Sequence, residues 1–493
     1  MGVTDVAYRS AVDLAGAVAS RELSPVEVME ATLRRVDERE PSLNAIVHKG
    51  FDEAMDSART AEQALSKGES PGPLTGVPVV MKDLFDFKPG WPATFGGIPA
   101  MADFSIDGYC VWAERMEAAG AIIIGKGNSP ALGFRGTCDN YLFGPSRNPF
   151  DTTRNTGGSS GGSAAVVADG LVPIAEGTDG GGSIRIPASW CGLVGYQPSA
   201  GRVPVVVRPN AFAGVSPFIY EGPITRSVAD AALAMGVLAG PHPGDPFGAL
   251  DKPDFASSLE GGIDGWRIAY SPDLGVYPVQ SEVAAVVEEA VRAFEAAGAE
   301  VVEVDIDIDL DQRQLSDLWC RLILPLSLDA FANLAEGGLD ILGEHRADLP
   351  PEFLHWADHV AHMSAMEYFD DNSRRSQVFD ALQAIMADYE LLVSPTLACL
   401  PAENLTNGET RGPTVIEGVE VDPVIGWCMT YFTNFTGQPA VSLPAGLSAG
   451  LPVGMQVIGR RGADLDVFRA AAAFERIRPW DHIYEIPANR DLV

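Results

Sequence analysis

The chain has 493 residues, 46% of them hydrophobic and 20% charged, which suits a large buried core and excludes a disordered composition. It carries 67 Asp and Glu against 34 Lys and Arg, a formal charge of −33 without a Lys/Arg-rich run, which argues against a nucleic-acid partner. Six cysteines stand singly without a CxxC pair, which excludes a disulfide framework and a zinc site.

The first residues lack a basic stretch followed by an apolar one, and no run of 18 or more uncharged apolar residues occurs. Both point away from a membrane and toward a cytoplasmic protein. The first clear element is a helix from Ser24 to about Glu38. Ser24 is the N-cap, Pro25 fits the first turn, Glu27 completes a capping box, and Leu23 and Val28 are placed as a hydrophobic staple. Next comes GVPVVMKDLFD (76–86), a short apolar strand that ends on Lys82. VWAERMEAAG predicts a helix stopping at Gly120, and AIIIGK a buried strand after it. NTGGSSGGSAAVVADG is a glycine-serine loop opening a helix at about Gly162, and VPIAEGTD reads as a strand running into Gly180-Gly181-Gly182-Ser183.

Farther on, a strongly amphipathic helix starts at Ser281 and stops at Gly298, and EVVEVDI follows as a strand. Repeated helix–glycine–strand units predict an α/β fold with layers around one mixed sheet. Residues 307–389 read as mostly helical, a cap or insertion that shapes a pocket. Residues 401–423 read as a long loop, and the chain closes with a strand at GMQVIG and a helix near Val467–Arg476.

Two serines and a lysine in these settings are the parts of an acyl-transfer site. Three consecutive glycines let backbone N–H groups converge on one point, where they stabilise the oxyanion of a tetrahedral intermediate. Ser183, at the end of that loop, is the candidate nucleophile. A serine hydroxyl needs a base, and Lys82 serves only if burial keeps it neutral, because a free lysine titrates near about 10.4. If Lys82 reaches Ser159, and Ser159 reaches Ser183, a proton passes along the three. Lys126 is the rival base, since it also follows an apolar strand.

Other signals carry less. Gly157-x-Ser159-x-Gly161 has the letters of a nucleophile elbow, but that motif needs a strand before the serine, and NPFDTTRNT does not read as one. Neither glycine loop has the Lys-Ser/Thr of a P-loop. His355, His359 and His362 fall on one helical face, without HExxH or an evident carboxylate ligand.

GVPVVMKD, GGSSGGSAA and GTDGGGSIRIPASWCGLVG together resemble the amidase signature family. The resemblance runs from the Ser24–Glu38 helix through SLNAIV, AGAIIIGKGN and SRNPFD to NFTGQPAVSLPAG and LPVGMQVIGR, nearly the whole of residues 1–493. It implies one amidase signature domain with Ser183 as the acylated nucleophile, Ser159 as proton relay next to a cis peptide, and Lys82 as base. It also implies an oxyanion hole from the N–H groups of Gly180, Gly181, Gly182 and Ser183, with Asp179 and Arg185 buttressing the loop. No metal or organic cofactor is implied; the partner is a small-molecule amide, with a homodimer as the common assembly. Two positions depart from the family pattern: Gly180, where Thr is usual, and GYQPS (195–199), where GLKPT is usual, so that Gln197 replaces a lysine. A stand-alone amidase is the leading expectation, supported by IRIPAS after Ser183. The glutamine-hydrolysing chain of a tRNA-dependent amidotransferase, its A subunit, shares the same motifs and is the alternative. Specificity is expected from segments near 200–220, 310–380 and 400–430, with Trp319, Trp356, Tyr368, Tyr431 and Phe432 read equally as pocket aromatics or as core residues.

Overall fold

The computed structural model describes residues 6–213, 219–249 and 251–492. An 11-stranded mixed sheet forms its centre. Across the sheet the strands run Ile46–Lys49, Ile122–Gly127, Pro78–Lys82, Ile174–Asp179, Tyr220–Thr225, Val194–Gln197, Ala440–Ser448, Leu451–Gly459, Leu391–Pro395, Arg267–Tyr270 and Glu300–Glu303. Pro78–Lys82 pairs in parallel with both of its neighbours, and so does Arg267–Tyr270. The middle of the sheet is antiparallel.

Strand alternation sends neighbouring side chains to opposite faces. Leu391 and Val393 join one hydrophobic cluster and Leu392 the other; Val457 and Ile458 divide the same way. Helices cover both faces, so the sheet lies between two apolar layers. This is the α/β layering that the helix–glycine–strand units predict.

Local signals set most element ends. The helix Pro25–Arg39 is capped by Ser24 with the full Ser24–Glu27 box, and a 3₁₀ turn at Glu40–Ser42 takes in Pro41. Val111–Ala118 and Ser281–Ala296 stop before Gly120 and Gly298, whose φ values of 91° and 95° suit glycine. The 307–389 stretch folds as three α-helices, Gln312–Glu336, Pro351–Val360 and Ala365–Asp388, with a short 3₁₀ helix at Arg346–Asp348. Gln312–Glu336 is long and apolar enough to cross a membrane by length and composition alone. Here Leu315, Leu318, Trp319, Leu322 and Phe331 lie in the second core cluster, and Arg321 pairs with Asp371 on Ala365–Asp388 at 2.8 Å.

Two local expectations change. Asp151–Asn155, inside NPFDTTRNT, is a strand after all, paired with Arg147–Asn148. Its polar residues and the proline ahead of it hide it from a hydrophobicity reading. The pair stands outside the central sheet, so Ser159 still lacks the strand–turn–helix setting of a nucleophile elbow. Within the 401–423 loop, Val415–Ile416 and Val419–Glu420 form a small hairpin. Of the specificity segment near 200–220, residues 214–218 lie outside the described residues.

Candidate active site

Lys82 ends its strand fully buried, beside the parallel strand Ile174–Asp179. Its Nζ donates to Ser159 Oγ at 2.7 Å and to Thr178 Oγ1 at 2.7 Å. Removal from water pushes the ammonium down, against Asp86, Glu176, Cys138 and Asp179, which favour the charged form; the outcome is about 8. Asp83 does not pair with Lys82. It pairs with Lys126 at 2.8 Å, both buried, and Lys126 also donates to the Pro92 carbonyl at 2.8 Å. The two lysines thus differ in environment: one faces hydroxyls, the other a carboxylate.

Ser159 follows a cis peptide, Gly158–Ser159. The Gly158 N–H donates to the Gly136 carbonyl at 2.7 Å, and the Gly157 N–H to Asn155 Oδ1 at 3.0 Å. The helix Gly161–Ala168 then begins, buried along its whole length. Ser160 N–H donates to the Ser183 carbonyl at 3.2 Å, which ties the two serine loops together. Ser159 and Ser183 both face one narrow cavity of about 50 Å³.

The glycine loop at Ser183 is held by a buried ion pair. Arg185 grips Asp179 with two hydrogen bonds of 3.0 Å. It also donates to the Thr430 carbonyl, Thr433 Oγ1 and Asn434 Oδ1 at 2.8 to 2.9 Å. Burial would raise the Asp179 carboxyl, but Arg185 and Asn434 outweigh it and hold it below the usual range. Asp179 in turn accepts from the N–H groups of Gly182 at 2.6 Å and Ile184 at 3.2 Å. Gly182 N–H is therefore turned away from the cavity. Among the described residues, the N–H groups of Gly180, Gly181 and Ser183 have no acceptor. Gln197 accepts from Thr433 at 2.8 Å and donates to the Gln438 carbonyl at 2.9 Å, one step behind Arg185.

The cavity wall is mostly apolar: Leu84, Phe85, Leu132, Phe134, Ile219, Trp319, Ile323 and Leu326 line it with Ser159, Ser183, Ser327 and Thr178. No charged side chain is among these described residues. Of the five candidate aromatics, Trp319 lies on this wall, while Tyr431 and Phe432 are core residues, the first ring 6.2 Å from Tyr277. Trp356 and Tyr368 pack at the edge of the second cluster. Among the described residues, His355, His359 and His362 do not form a metal-sized group. One such group does exist, behind Lys82: Asp86, Cys110 and Glu176, with ligand atoms within 4.8 Å of one another. Burial raises all three, Asp86 to about 6 and Glu176 and Cys110 well above their ordinary values.

Sequence reasoning passed over Thr178, Glu176 and Thr430. The first two had a signal, since polar residues at alternate positions of an otherwise buried strand share one face. Thr430 had none, because it reaches the loop from 249 positions away.

Comparison with known proteins fits this geometry. The amidase family model matches residues 27–468. An acylamidase of Rhodococcus erythropolis is 37% identical over 479 residues, 96% of each chain. The crystal structure of a bacterial aryl acylamidase of the amidase signature family superposes with a TM-score of 0.97 at 49% identity, covering 99% of this chain and 100% of that one. The A subunit of the glutamyl-tRNA(Gln) amidotransferase of Chloroflexus aurantiacus is 32% identical over 504 residues, 97% of this chain and 98% of that one. The chain belongs to the amidase family, the amidase signature enzymes, and is an amide C–N hydrolase.

Proposed function

We propose that the chain hydrolyses neutral acyl amides with an aromatic amine side, by way of an acyl enzyme on Ser183. The observation that carries this is Lys82 Nζ at 2.7 Å from Ser159 Oγ, at the floor of a pocket walled by Phe85, Phe134 and Trp319. The similarity to an acylamidase and to an aryl acylamidase supports the substrate class.

Neutral Lys82 accepts the Ser159 proton as Ser159 takes the proton of Ser183. Ser183 Oγ attacks the amide carbon, and the carbonyl oxygen becomes an oxyanion facing the N–H groups of Gly180, Gly181 and Ser183. Asp179 and Arg185 keep that loop in shape, with Gly182 as its tether. Collapse breaks the C–N bond, and the leaving amine takes the proton back through Ser159. Water then attacks the acyl ester along the same relay, releasing the acid and restoring neutral Lys82. The three helices between 307 and 389 act as a cap that shapes the acyl and amine subsites.

The amidotransferase reading is less favoured by the pocket. Glutamine carries an α-ammonium and an α-carboxylate, and burying them without ionic partners is costly. The cytoplasmic setting is supported by six unpaired cysteines. The homodimer rests on the resemblance alone and is read by light scattering.

The test is amine and ammonia release by the purified chain from an anilide, benzamide, acetamide, a cyclic amide and glutamine. The anilide is expected to turn over fastest, and Ser183→Ala to abolish all release while the fold is kept. Retained turnover in Ser183→Ala sinks the nucleophile. Release from glutamine alone moves the assignment to the amidotransferase.

A further inference from the structure

Gly180, Gly181 and Gly182 have no side chains with which to fix their own backbone, and glycine is the residue with most conformational freedom to lose. The loop is held instead through its carbonyls. Trp319 Nε1 donates to the Gly180 carbonyl at 2.8 Å, and Thr430 Oγ1 to the Gly181 carbonyl at 2.6 Å. The Gly182 carbonyl accepts from Ile186 N–H at 2.6 Å. In a trans peptide the C=O of one residue and the N–H of the next point in opposite directions. The grip on Gly180 O therefore aims the Gly181 N–H, and the grip on Gly181 O aims the Gly182 N–H, which ends on Asp179.

Thr430 and Ile186 hold the loop from within the core. Trp319 differs, because it holds the loop from the pocket wall. It sits on the helix Gln312–Glu336, is 3% exposed, and stacks on Phe134 with ring centroids 5.5 Å apart. Both rings line the cavity. The approach to the loop is close: a Cβ on Gly181 would lie 2.7 Å from Trp319 Nε1.

We infer that Trp319 is a positioning residue for the oxyanion loop, setting the direction of the Gly181 N–H from the wall that also receives the substrate. This rests on the proposed acyl transfer to Ser183. A ligand seated against the Trp319–Phe134 stack packs the indole in place, and the indole N–H holds the peptide that faces the developing oxyanion. Binding in the apolar subsite is thereby coupled to charge stabilisation 139 positions away in sequence. The interaction matters most when negative charge is present, so its loss falls on the transition state rather than on substrate binding.

The test is Trp319→Phe, which keeps a ring against Phe134 and removes the N–H. With an anilide substrate, kcat is expected to fall by about tenfold, less than the roughly hundredfold of losing a direct oxyanion donor, with KM within about twofold. Affinity for a trifluoromethyl ketone, which binds a serine nucleophile as an oxyanion adduct, falls by the same factor as kcat. Affinity for the uncharged aniline product, which places no anionic oxygen at the loop, does not change. Where the Phe variant fails to fold, a benzothienyl-alanine at 319, which has the bicyclic shape without the N–H, takes its place. Unchanged kcat, or equal losses in ketone and product affinity, overturns the role. Mass analysis of the acyl adduct separates the two layers of inference. Absence of label on Ser183 in the native chain overturns the proposed function, whereas a labelled Ser183 with unchanged kcat in the variant overturns the role of Trp319 alone.

Discussion

Two buried lysines 44 positions apart end similar apolar strands, and their neighbours separate them. Lys126 keeps a carboxylate, Asp83, at 2.8 Å. Lys82 has two hydroxyls within 2.7 Å and titrates at about 8, with burial as the leading cause. Protonated Lys82 cannot accept from Ser159, so kcat/KM rises with pH through about 8 and levels above it. Asp86 is the largest opposing influence, since its negative charge favours the ammonium. Asp86→Asn is expected to make Lys82 easier to deprotonate and to move the acid limb down by about one pH unit. A limb that stays in place means that another group titrates. Lys126→Met is expected to behave differently, because it leaves Asp83 buried without its cation. Stability falls by about 3 kcal/mol in denaturant unfolding, while kcat of the folded fraction is kept. A selective loss of kcat with full stability would make Lys126 the base.

At the scale of elements, the capped helices and glycine stops were readable because their signals are local. Ser24, Pro25 and Glu27 lie within four residues, and a hydrogen-bonded box needs nothing else. Asp151–Asn155 was missed because its partner strand, not its composition, makes it a strand. The strand Ile174–Asp179 and the turn after it form the decisive element. Glu176 and Thr178 face Lys82, Asp179 anchors to Arg185, and the backbone then turns at Gly182 with φ of 121°. That angle is strained for any residue with a Cβ, and a Cβ there would stand 1.9 Å from Thr430 Oγ1. Gly182→Ala is expected to cost about 2 kcal/mol or more and at least a hundredfold in kcat/KM, because the loop moves off Asp179. An alanine variant with native turnover would mean that this turn does not shape the site.

At the scale of the molecule, the sheet brings distant segments to one cavity. Lys82 and Thr178 meet because their strands run side by side in parallel. Gly181 and Thr430 meet through the Thr430 hydroxyl, and Arg185 bridges Asp179 to the buried helix Tyr431–Thr436 and the carbonyl before it. The chain by itself determined the α/β class, the family, and the three residue types of the acyl-transfer site, since each rests on short-range pattern: periodicity, caps, glycine runs and contiguous motifs. The tertiary structure decided which lysine faces a hydroxyl and which a carboxylate. It also decided which loop N–H groups stay free and which aromatic residue walls the pocket. Those depend on burial and on contacts between residues up to hundreds of positions apart, and a low-dielectric interior turns such contacts into the pKa values and hydrogen-bond directions that chemistry uses.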